Sequence, residues 1–511
     1  MGSTSLGSRS VTRLSTVCTD HEYGANRPQM RQPSEDRSLY YRQLRNSIRE
    51  VMYPELTSAR ARDTAGIVDR ILGQFIVEEE AAPALSAEFG ERFRALLSLA
   101  GEDPVTAPQF HALRQSAAAA VSQACQVRDQ EQCNLVNQLI QVERDFLERV
   151  ESLRAGVLAE KGDPGDAGPP EALSVTKDQL NAYLRQRLPD SPDVAVEDLE
   201  LVPGGRSKET ILVRLKGTNE LPPKVILRKD RPVGLLQTKA ADEFEILKAV
   251  YDYGGVPVPR PYFAEAEGHG LGEGTFQLME CVPGAKAGEY FPDLAAPALH
   301  CKEIAAQMAA SLARLHTLPL DRLGRTGLDA EGSTVTVESV TATITGFVAR
   351  IDELTGPASA AVPLAHCWLL DHVADVVPSP RLCLLQGDFG FHNMLVDHGR
   401  LTALVDWEGA AIGPPAREMA AAWNSATALV PWPDFVRDYV AAGGRIEDCD
   451  PKAISFYRVL AALGAFMTSK MGGHLFRTGT KRDLLTAHSG LDSNFRCARN
   501  LARALGDAAE G

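Results

Sequence analysis

The residue types and spacing between positions 386 and 408 are those that a magnesium-dependent phosphoryl transfer requires. Asp388 stands five residues before Asn393, and Asp406 follows thirteen residues later, after an apolar run. Transfer of a phosphoryl group from ATP to a hydroxyl needs one carboxylate that orients and deprotonates the attacking hydroxyl. It also needs an amide oxygen and a second carboxylate that hold Mg²⁺ against the phosphates. We therefore predict Asp388 as the catalytic base, and Asn393 and Asp406 as the metal ligands.

A β-hairpin is predicted between the two metal ligands, with strands over 393–396 and 401–405. The turn Asp397-His398-Gly399-Arg400 would join them. Aspartate and asparagine also favour turns, because their side chains bond to the nearby backbone. The spacing of Asp388 and Asn393 is therefore common on its own, and the prediction depends on the whole segment.

The whole segment resembles the catalytic loop of the aminoglycoside phosphotransferase and choline kinase family, a branch of the protein-kinase-like fold. That family's loop reads His-Gly-Asp, then Asn after four residues, then an apolar strand that ends in Asp-x-Glu. The sequence here contains Gln386-Gly387-Asp388, Asn393 and Asp406-Trp407-Glu408. Gln386 replaces the family's histidine, and its amide can still donate and accept hydrogen bonds.

The resemblance covers residues 176 to 511. A downstream turn also matches, with Pro414 and Glu418 in place of the family's acids, and we interpret both as structural positions. The sequence resembles in particular the branch found alone in bacteria and fused to acyl-CoA dehydrogenases. The grounds are an arginine after the third strand, the segment 256–261 and the helix end 307–320.

The resemblance implies an α+β, two-lobed protein-kinase-like fold, with a small antiparallel β lobe over 176–285 and a large helical lobe over 286–511. An all-α helical domain over 36–155 and a Gly- and Pro-rich linker over 156–175 are predicted to precede them. Residues 1–35 are predicted to be a disordered tail, because they are rich in Ser, Thr and Arg. The implied cofactors are ATP and Mg²⁺. The implied acceptor is a small hydroxylated substrate: an antibiotic, an amino alcohol or a hydroxyacyl-CoA.

By the same resemblance, Gly204 and Gly205 belong to a loop whose backbone N–H groups cover the ATP phosphates. Ser207 matches a family position in that loop, and Lys208 replaces an asparagine. A glycine pair between strands is also an ordinary turn, so the loop by itself is a weak indication of phosphate binding.

The third strand of the small lobe should carry the cation that holds the α- and β-phosphates. Arg228 and Lys229 both stand at its end, and alternation cannot choose between them because strand neighbours point to opposite faces. We favour Arg228. Glu243, on the next helix, is its predicted ion-pair partner, and Glu245 is the alternative.

Glu280 and Val282 lie in the segment that resembles the hinge between the two lobes. The resemblance implies that adenine hydrogen-bonds to the backbone there, so both residues are predicted nucleotide contacts.

Apolar residues at helical spacing predict about four helices over 36–155, with the third over 84–100 and a long fourth over 115–155. This region contains no chemical motif, so docking, self-association or regulation is its default interpretation. In the large lobe, glycine pairs at 443–444 and 472–473 are predicted helix ends. The predicted helices there are 304–316, 433–443, 452–473 and 481–505.

The chain has 511 residues, a formal net charge of −14 and nine cysteines without a CxxC pair. The acidic charge argues against a general nucleic-acid-binding protein and would suit a cationic substrate. Scattered cysteines indicate reduced thiols, and no apolar run is long enough to span a membrane. We therefore predict a cytoplasmic protein without nucleic-acid or membrane partners.

Three functions are compatible with these features. The first is an ATP-dependent phosphotransferase with an alcohol group as acceptor. The second is a nucleotide-binding regulatory, pseudokinase-like module, favoured by the replaced histidine and the atypical glycine loop. The third is a scaffold that acts through the N-terminal helical domain. The complete set Asp388, Asn393 and Asp406 favours the first.

Overall fold

The computed structural model of the protein begins with a helical region. The residues described are 37–52, 56, 59–99, 110–127, 130–159, 173–202, 208–230, 238–267, 269–288, 301–323, 328, 335–354, 358–377, 381–480 and 484–510. The α-helices of the first region are α1 Arg37–Asn46, α2 Ala59–Leu99, α3 Phe110–Val127 and α4 Gln130–Ala159.

Two predicted helix boundaries in this region are wrong. Helix α2 is continuous through Pro83, whereas apolar spacing predicts a separate helix over 84–100. Packing of α2 along α4 outweighs the hydrogen bond that Pro83 cannot donate. The predicted helix over 115–155 is two helices, α3 and α4, folded together so that the rings of Phe110 and Phe146 lie 4.8 Å apart. Both stretches have helical periodicity, so the spacing contains no signal of the turn.

The small lobe is an antiparallel five-stranded sheet flanked by two helices. Helix α5, Lys177–Arg187, is capped by the Thr176 side chain, which accepts from the Gln179 N–H. The sheet order is β1-β2-β3-β5-β4. Its elements are β1 Ala195–Leu201, β2 Lys208–Lys216, β3 Lys224–Asp230, α6 Ala240–Tyr253, β4 Pro261–Glu265 and β5 Phe276–Glu280. The predicted small antiparallel β lobe is therefore confirmed.

The large lobe is mainly helical, with short β-hairpins at the edge that faces the sheet. Its strands are β6 Ala285–Lys286, β7 Cys383–Leu385, β8 Met394–Asp397, β9 Arg400–Leu404 and β10 Ala411–Gly413. Its helices are α7 Cys301–His316, α8 Val337–Glu353, α9 Ala361–Val376, α10 Pro415–Thr427, α11 Trp432–Ala441, α12 Pro451–Arg477 and α13 Leu484–Glu510. The two-lobed α+β class is confirmed, and so is the predicted hairpin, which is β8–β9. In the described segments, no helix is both long and apolar enough to cross a membrane.

One predicted helix end in the large lobe is correct and one is wrong. Helix α11 ends at Ala441, just before Gly443, which has a φ of 103°. Helix α12 instead runs through the pair at 472–473 to Arg477. A Cβ added to Gly490 of α13 would stand 2.0 Å from the Gly473 Cα. These glycines therefore let two helix backbones pack against each other, a role that the sequence pattern does not distinguish from a helix end.

The helical region and the large lobe share one hydrophobic core. Phe93 and Leu139 of the helical region belong to the same buried cluster as Leu369 of α9 and Leu501 of α13. A polar contact joins them as well, since the Glu143 carboxylate accepts from the Ala361 N–H at the start of α9, at 3.2 Å. The helical region is thus packed directly on the lobe that carries the predicted base.

Candidate active site

The loop that carries Asp388 is fixed by its two preceding residues. Gly387 has a φ of 90°, and a Cβ there would stand 1.9 Å from the Gly409 carbonyl oxygen, so only glycine fits. Gln386, which is 1% exposed, accepts from the Asp388 N–H at 2.9 Å. Its Nε2 donates to the Asp406 carbonyl at 2.7 Å. The glutamine that replaces histidine therefore connects the predicted base to the predicted metal ligand.

The Asp388 carboxylate projects into a cleft with its side chain 51% exposed. Its Oδ2 lies 2.9 Å from the His392 Nε2 and 3.0 Å from the Asn393 Nδ2. Both contacts come from the short 3₁₀ turn Phe391–Asn393. One carboxylate oxygen is thereby oriented by neighbouring side chains, as a general base requires.

Asp406 is brought beside Asn393 by the hairpin. The Val405 N–H donates to the Asn393 carbonyl at 2.9 Å, directly after β9. Asp406 has a φ of 64°, a left-handed conformation that aspartate tolerates better than most residues and that is often found at functional sites. The Trp407 N–H, next in the chain, donates to the Glu243 carboxylate at 3.0 Å. A helix of the small lobe therefore holds the Asp406 turn.

Arg228 and Glu243 form a buried ion pair that also contacts Asp406. The Arg228 guanidinium lies 3.0 Å from the Glu243 carboxylate and 3.0 Å from the Asp406 carboxylate. Burial lowers the pKa of Arg228, but the Glu243 and Asp406 carboxylates raise it above its ordinary value, so the cation is permanent. Burial raises the pKa of Glu243, and the Arg228 guanidinium opposes that rise. Gln277 of β5 also donates to Glu243, at 2.9 Å.

Lys229 points away from this cluster. Its Nζ donates to the Glu273 carbonyl at 2.7 Å. The geometry therefore supports Arg228 over Lys229 as the cation that faces the predicted metal ligand, and Glu243 over Glu245 as its partner.

A second buried cation, Lys208 of β2, faces the same cluster. Lys208 is 2% exposed, its Nζ lies 3.4 Å from Asp230 and 4.0 Å from Glu408, and it donates to the Thr238 carbonyl. Glu408 ends the segment Asp406-Trp407-Glu408, so Lys208 adds positive charge on the small-lobe side of the site.

Glu418 supports the loop from below. It is 1% exposed on α10, and both carboxylate oxygens accept from the Gly387 N–H, at 3.2 and 3.3 Å. Burial raises the pKa of Glu418 from 4.5 to about 7, although hydrogen bonds from the backbone of Gly387 and Gln386 oppose this. The structural position expected for Glu418 therefore agrees with its contacts.

The residues at the Asp406 turn have the chemistry of a small magnesium site. Mg²⁺ is usually bound by one or two protein oxygens, with phosphate oxygens and water completing its shell. Asn393 uses its Nδ2 toward Asp388, which leaves its amide oxygen for a metal. The Asp406 side chain is 35% exposed, and Arg228 contacts only its Oδ1. Asn393 and Asp406 thus fit a Mg²⁺ ion that the two side chains would share.

The remaining predicted nucleotide contacts are placed as follows. Gly204, Gly205 and Ser207 lie outside the described residues. Glu280 ends β5, and its carboxylate accepts from the Arg260 N–H at 3.1 Å. Val282 is half-buried in the connection from β5 to β6, and β6 pairs with β8 of the large lobe. The segment of Glu280 and Val282 therefore does connect the two lobes.

A cleft of about 810 Å³ opens on the exposed side of Asp388. Its walls come from the Asp388 loop, from α10, α12 and α13, and from α4 of the helical region. The charged side chains that line it are Arg144, Asp145, Glu148, Asp388, Arg458, Arg503 and Asp507. An acceptor that reaches Asp388 would therefore contact both the large lobe and the helical region.

Three side chains at this site have no place in the sequence-based prediction. In the sequence, Lys208 was noted only as the residue that replaces the family's asparagine. Its burial beside the site depends on how the sheet folds. The sequence shows that His392 lies within the loop between Asp388 and Asn393. Its contact with Asp388, however, depends on the 3₁₀ turn, which the sequence pattern did not predict. Arg144 lies more than two hundred residues before the loop, so only the tertiary fold brings it to the cleft.

Solved structures similar to this one include three phosphotransferases. A candidate aminoglycoside phosphotransferase from Ralstonia eutropha is 16% identical with a TM-score of 0.48, covering 65% of this chain and 98% of that chain. Macrolide 2'-phosphotransferase MphH from Brachybacterium faecium is 18% identical with a TM-score of 0.42, covering 60% and 98%. A thermostable mutant of aminoglycoside phosphotransferase APH(4)-Ia, in ternary complex with ADP and hygromycin B, is 18% identical with a TM-score of 0.41, covering 62% and 98%.

The family comparison covers most of the two lobes. The model of the phosphotransferase enzyme family, APH, matches residues 198–457, just over half of the chain. The match begins in β1, includes Arg228, Asp388 and Asp406, and ends within α12. The helical region and α13 lie outside it. The chain therefore belongs to the phosphotransferase enzyme family.

Proposed function

We propose that the protein transfers the γ-phosphoryl group of ATP to a hydroxyl of a small molecule, with Asp388 as the catalytic base. The observation that carries this proposal is the contact chain through Gln386, which joins the Asp388 loop to the Asp406 turn. The Arg228–Glu243 pair meets the same turn. The side chains proposed as base, metal ligands and phosphate cation thus come from both lobes.

In this proposal the acceptor hydroxyl binds in the cleft and donates its proton to the Asp388 carboxylate, whose side chain is 51% exposed. The acceptor oxygen forms a bond to the γ-phosphorus while the bond to the β–γ bridging oxygen breaks, and ADP leaves. His392 and Asn393 hold one oxygen of this carboxylate, so that the base is aligned before the acceptor arrives.

Asn393 and Asp406 would hold Mg²⁺, which when bound neutralises charge on the phosphates. Arg228, fixed by Glu243, would contact the α- and β-phosphates, as the resemblance implies. Gly204, Gly205 and Ser207 are the proposed phosphate loop, and the backbone of Glu280 and Val282 the proposed adenine contact. The dehydrogenase-fused branch, the cytoplasmic location, the domain boundaries and self-association through the helical region stay predictions.

The test is ADP release with Mg²⁺ and ATP, or GTP in a parallel arm, against a panel of hydroxylated acceptors that includes 4-hydroxyacyl-CoAs, choline and aminoglycosides. Mg²⁺–ATP should also raise the melting temperature, since a ligand that binds only the folded state stabilises it. Nucleotide binding without transfer to any acceptor would favour the regulatory module. Absence of nucleotide binding would contradict both the phosphotransferase and the regulatory module, and a scaffold would be the remaining function.

A further inference from the structure

The acceptor cleft is built partly from the helical region that the family match does not include. Arg144, Asp145 and Glu148 of α4 line the same cleft as the loop of Asp388. Arg503 and Asp507 of α13, also outside the match, complete that wall. Whatever this wall recognises is therefore a property of this chain and not of the matched lobes.

The carboxylates of that wall are already neutralised by arginines. The Asp145 carboxylate lies 2.6 Å from Arg92. Glu148 accepts from the Arg503 Nη2 at 2.8 Å. A third pair joins Asp507 to Arg458, at 2.6 Å. A cationic acceptor would have to compete with an arginine at each of these acids.

Arg144 is the cation that remains. Across the residues that the structure describes, its guanidinium has neither an ion-pair nor a hydrogen-bond partner. Its position is set by packing, since a Cβ added to Gly506 of α13 would stand 2.6 Å from the Arg144 Nη1. The half-buried guanidinium therefore presents its donors to the cleft without a protein acceptor.

Small apolar side chains form part of the wall of the cleft that holds Arg144 and Asp388. Seven alanines line the cleft, among them Ala420, Ala421, Ala461 and Ala465. The Arg458 guanidinium lies 4.2 Å from the Trp423 ring centroid, so that aromatic face is already covered. An apolar segment of an acceptor could lie along these alanines, while polar lining residues such as Asn424 and Thr427 remain open to water.

We propose that the acceptor carries an anionic group, a carboxylate or a phosphate monoester, which Arg144 binds, and a hydroxyl that reaches Asp388 across an apolar segment. The proposal rests on the proposed role of Asp388 for the position of the hydroxyl. It makes α4 part of the acceptor site and Arg144 its specificity-determining residue. A guanidinium suits both anions, because its planar donors match either group bidentately.

Matched probes test the charge preference. They are ω-hydroxyalkanoates, ω-hydroxyalkyl phosphates, α,ω-diols and ω-amino alcohols of equal chain length, titrated calorimetrically into the full-length protein. The anionic probes should bind at least about tenfold more tightly than the diol, the gain expected from a charged hydrogen-bonded pair. The amino alcohol should bind no better than the diol. The tighter of the two anionic series identifies the headgroup.

Arg144→Gln should abolish the preference for anions, and Gly506→Ala should weaken it by displacing the guanidinium without removing its charge. Arg149→Gln is the matched control, since Arg149 is exposed on the same helix and does not line the cleft. It should leave the preference unchanged. Mg²⁺–ATP binding should be the same in all variants, which confirms that they are folded.

Tighter binding of the amino alcohol, an anion preference that survives in Arg144→Gln, or failure of every anionic probe to bind would overturn the proposal. Binding is read separately from transfer, so the two proposals fail separately. Anion binding without ADP release would contradict the phosphotransferase and leave this inference intact. Transfer to cationic acceptors would support the phosphotransferase and contradict the anionic acceptor.

Discussion

At the scale of single residues, the site depends on a few side chains that each contact two partners. Gln386 joins Asp388 to Asp406, and Arg228 joins Glu243 to Asp406. Motif spacing predicted Asp388, Asn393 and Asp406, and the resemblance to the family added a strand cation and Glu243; their roles stay predictions. The sequence could not choose between Arg228 and Lys229, because that choice requires knowing which face of β3 points to the large lobe.

Asp406→Asn should weaken the Mg²⁺ dependence of ATP binding while the fold is retained. The substitution keeps the size of the side chain and an oxygen for Arg228, but removes the anionic metal ligand. Calorimetric titration of ATP with and without Mg²⁺ measures the effect. Wild-type Mg²⁺ dependence in this variant would show that Asp406 is not a metal ligand.

Arg228→Lys should raise the KM for ATP by roughly tenfold, because lysine keeps the charge beside Glu243 but loses the planar contact to both acids. Steady-state kinetics at varied ATP measures it. Lys229→Arg is the control on the same strand, and should leave KM unchanged because Lys229 binds the Glu273 carbonyl on the opposite face. An equal rise in KM for both variants would contradict the assignment of Arg228.

At the scale of elements, the periodicity of apolar residues predicted the helices and strands that pack in the core, but it missed some of the turns between them. The hairpin β8–β9 and the strands of the small lobe follow from apolar runs bounded by turn residues. The break between α3 and α4 does not, because apolar spacing continues on both sides of it. Gly472 and Gly473 were indistinguishable from a helix end, since glycine serves both helix ends and close helix contacts.

The stability of the protein should depend on pH because of Glu418, a buried carboxyl group on helix α10. Its pKa is raised from 4.5 to about 7, so the folded state holds a proton that the unfolded state has lost in this range. The stabilisation is fully present below pH 4.5 and is lost as the pH rises through about 7. Across this window the wild type should lose roughly 3 kcal/mol of unfolding free energy relative to Glu418→Gln.

Denaturant unfolding of both proteins at about pH 5 and about pH 8 measures this difference. The exposed Glu447→Gln variant is the control and should track the wild type at both values. A constant difference between wild type and Glu418→Gln across the range would place the pKa of Glu418 at its ordinary value.

At the scale of the whole molecule, the helical region and the large lobe are one packing unit around a common core. The sequence predicted a helical region without a motif, and nothing in it indicated where that region packs. Its contribution to the cleft beside Asp388 depends on contacts such as Glu148 with Arg503, which lie 355 residues apart in the chain. Pairings at that separation have no local signature.

Leu139→Ala should destabilise the entire chain in a single transition. Leu139 is 0% exposed in the shared core, and a buried Leu→Ala change typically costs about 2–5 kcal/mol. Calorimetry with tryptophan fluorescence reports the large lobe, where Trp368, Trp407, Trp423 and Trp432 all lie. Leu99→Ala is the matched control, since Leu99 is 78% exposed. Two separable transitions, with only one shifted, would show that the helical region folds independently.

The most direct test of the proposed phosphotransferase compares wild type and Asp388→Asn in ADP release with Mg²⁺–ATP and an accepted hydroxylated substrate. Asparagine has nearly the same size as aspartate and can still contact the 3₁₀ turn, but it cannot take the acceptor's proton. Turnover should fall by about 10²–10⁴-fold, while the Kd for ATP stays within about twofold of wild type. Undiminished phosphoryl transfer by Asp388→Asn would contradict the role of Asp388 as the catalytic base.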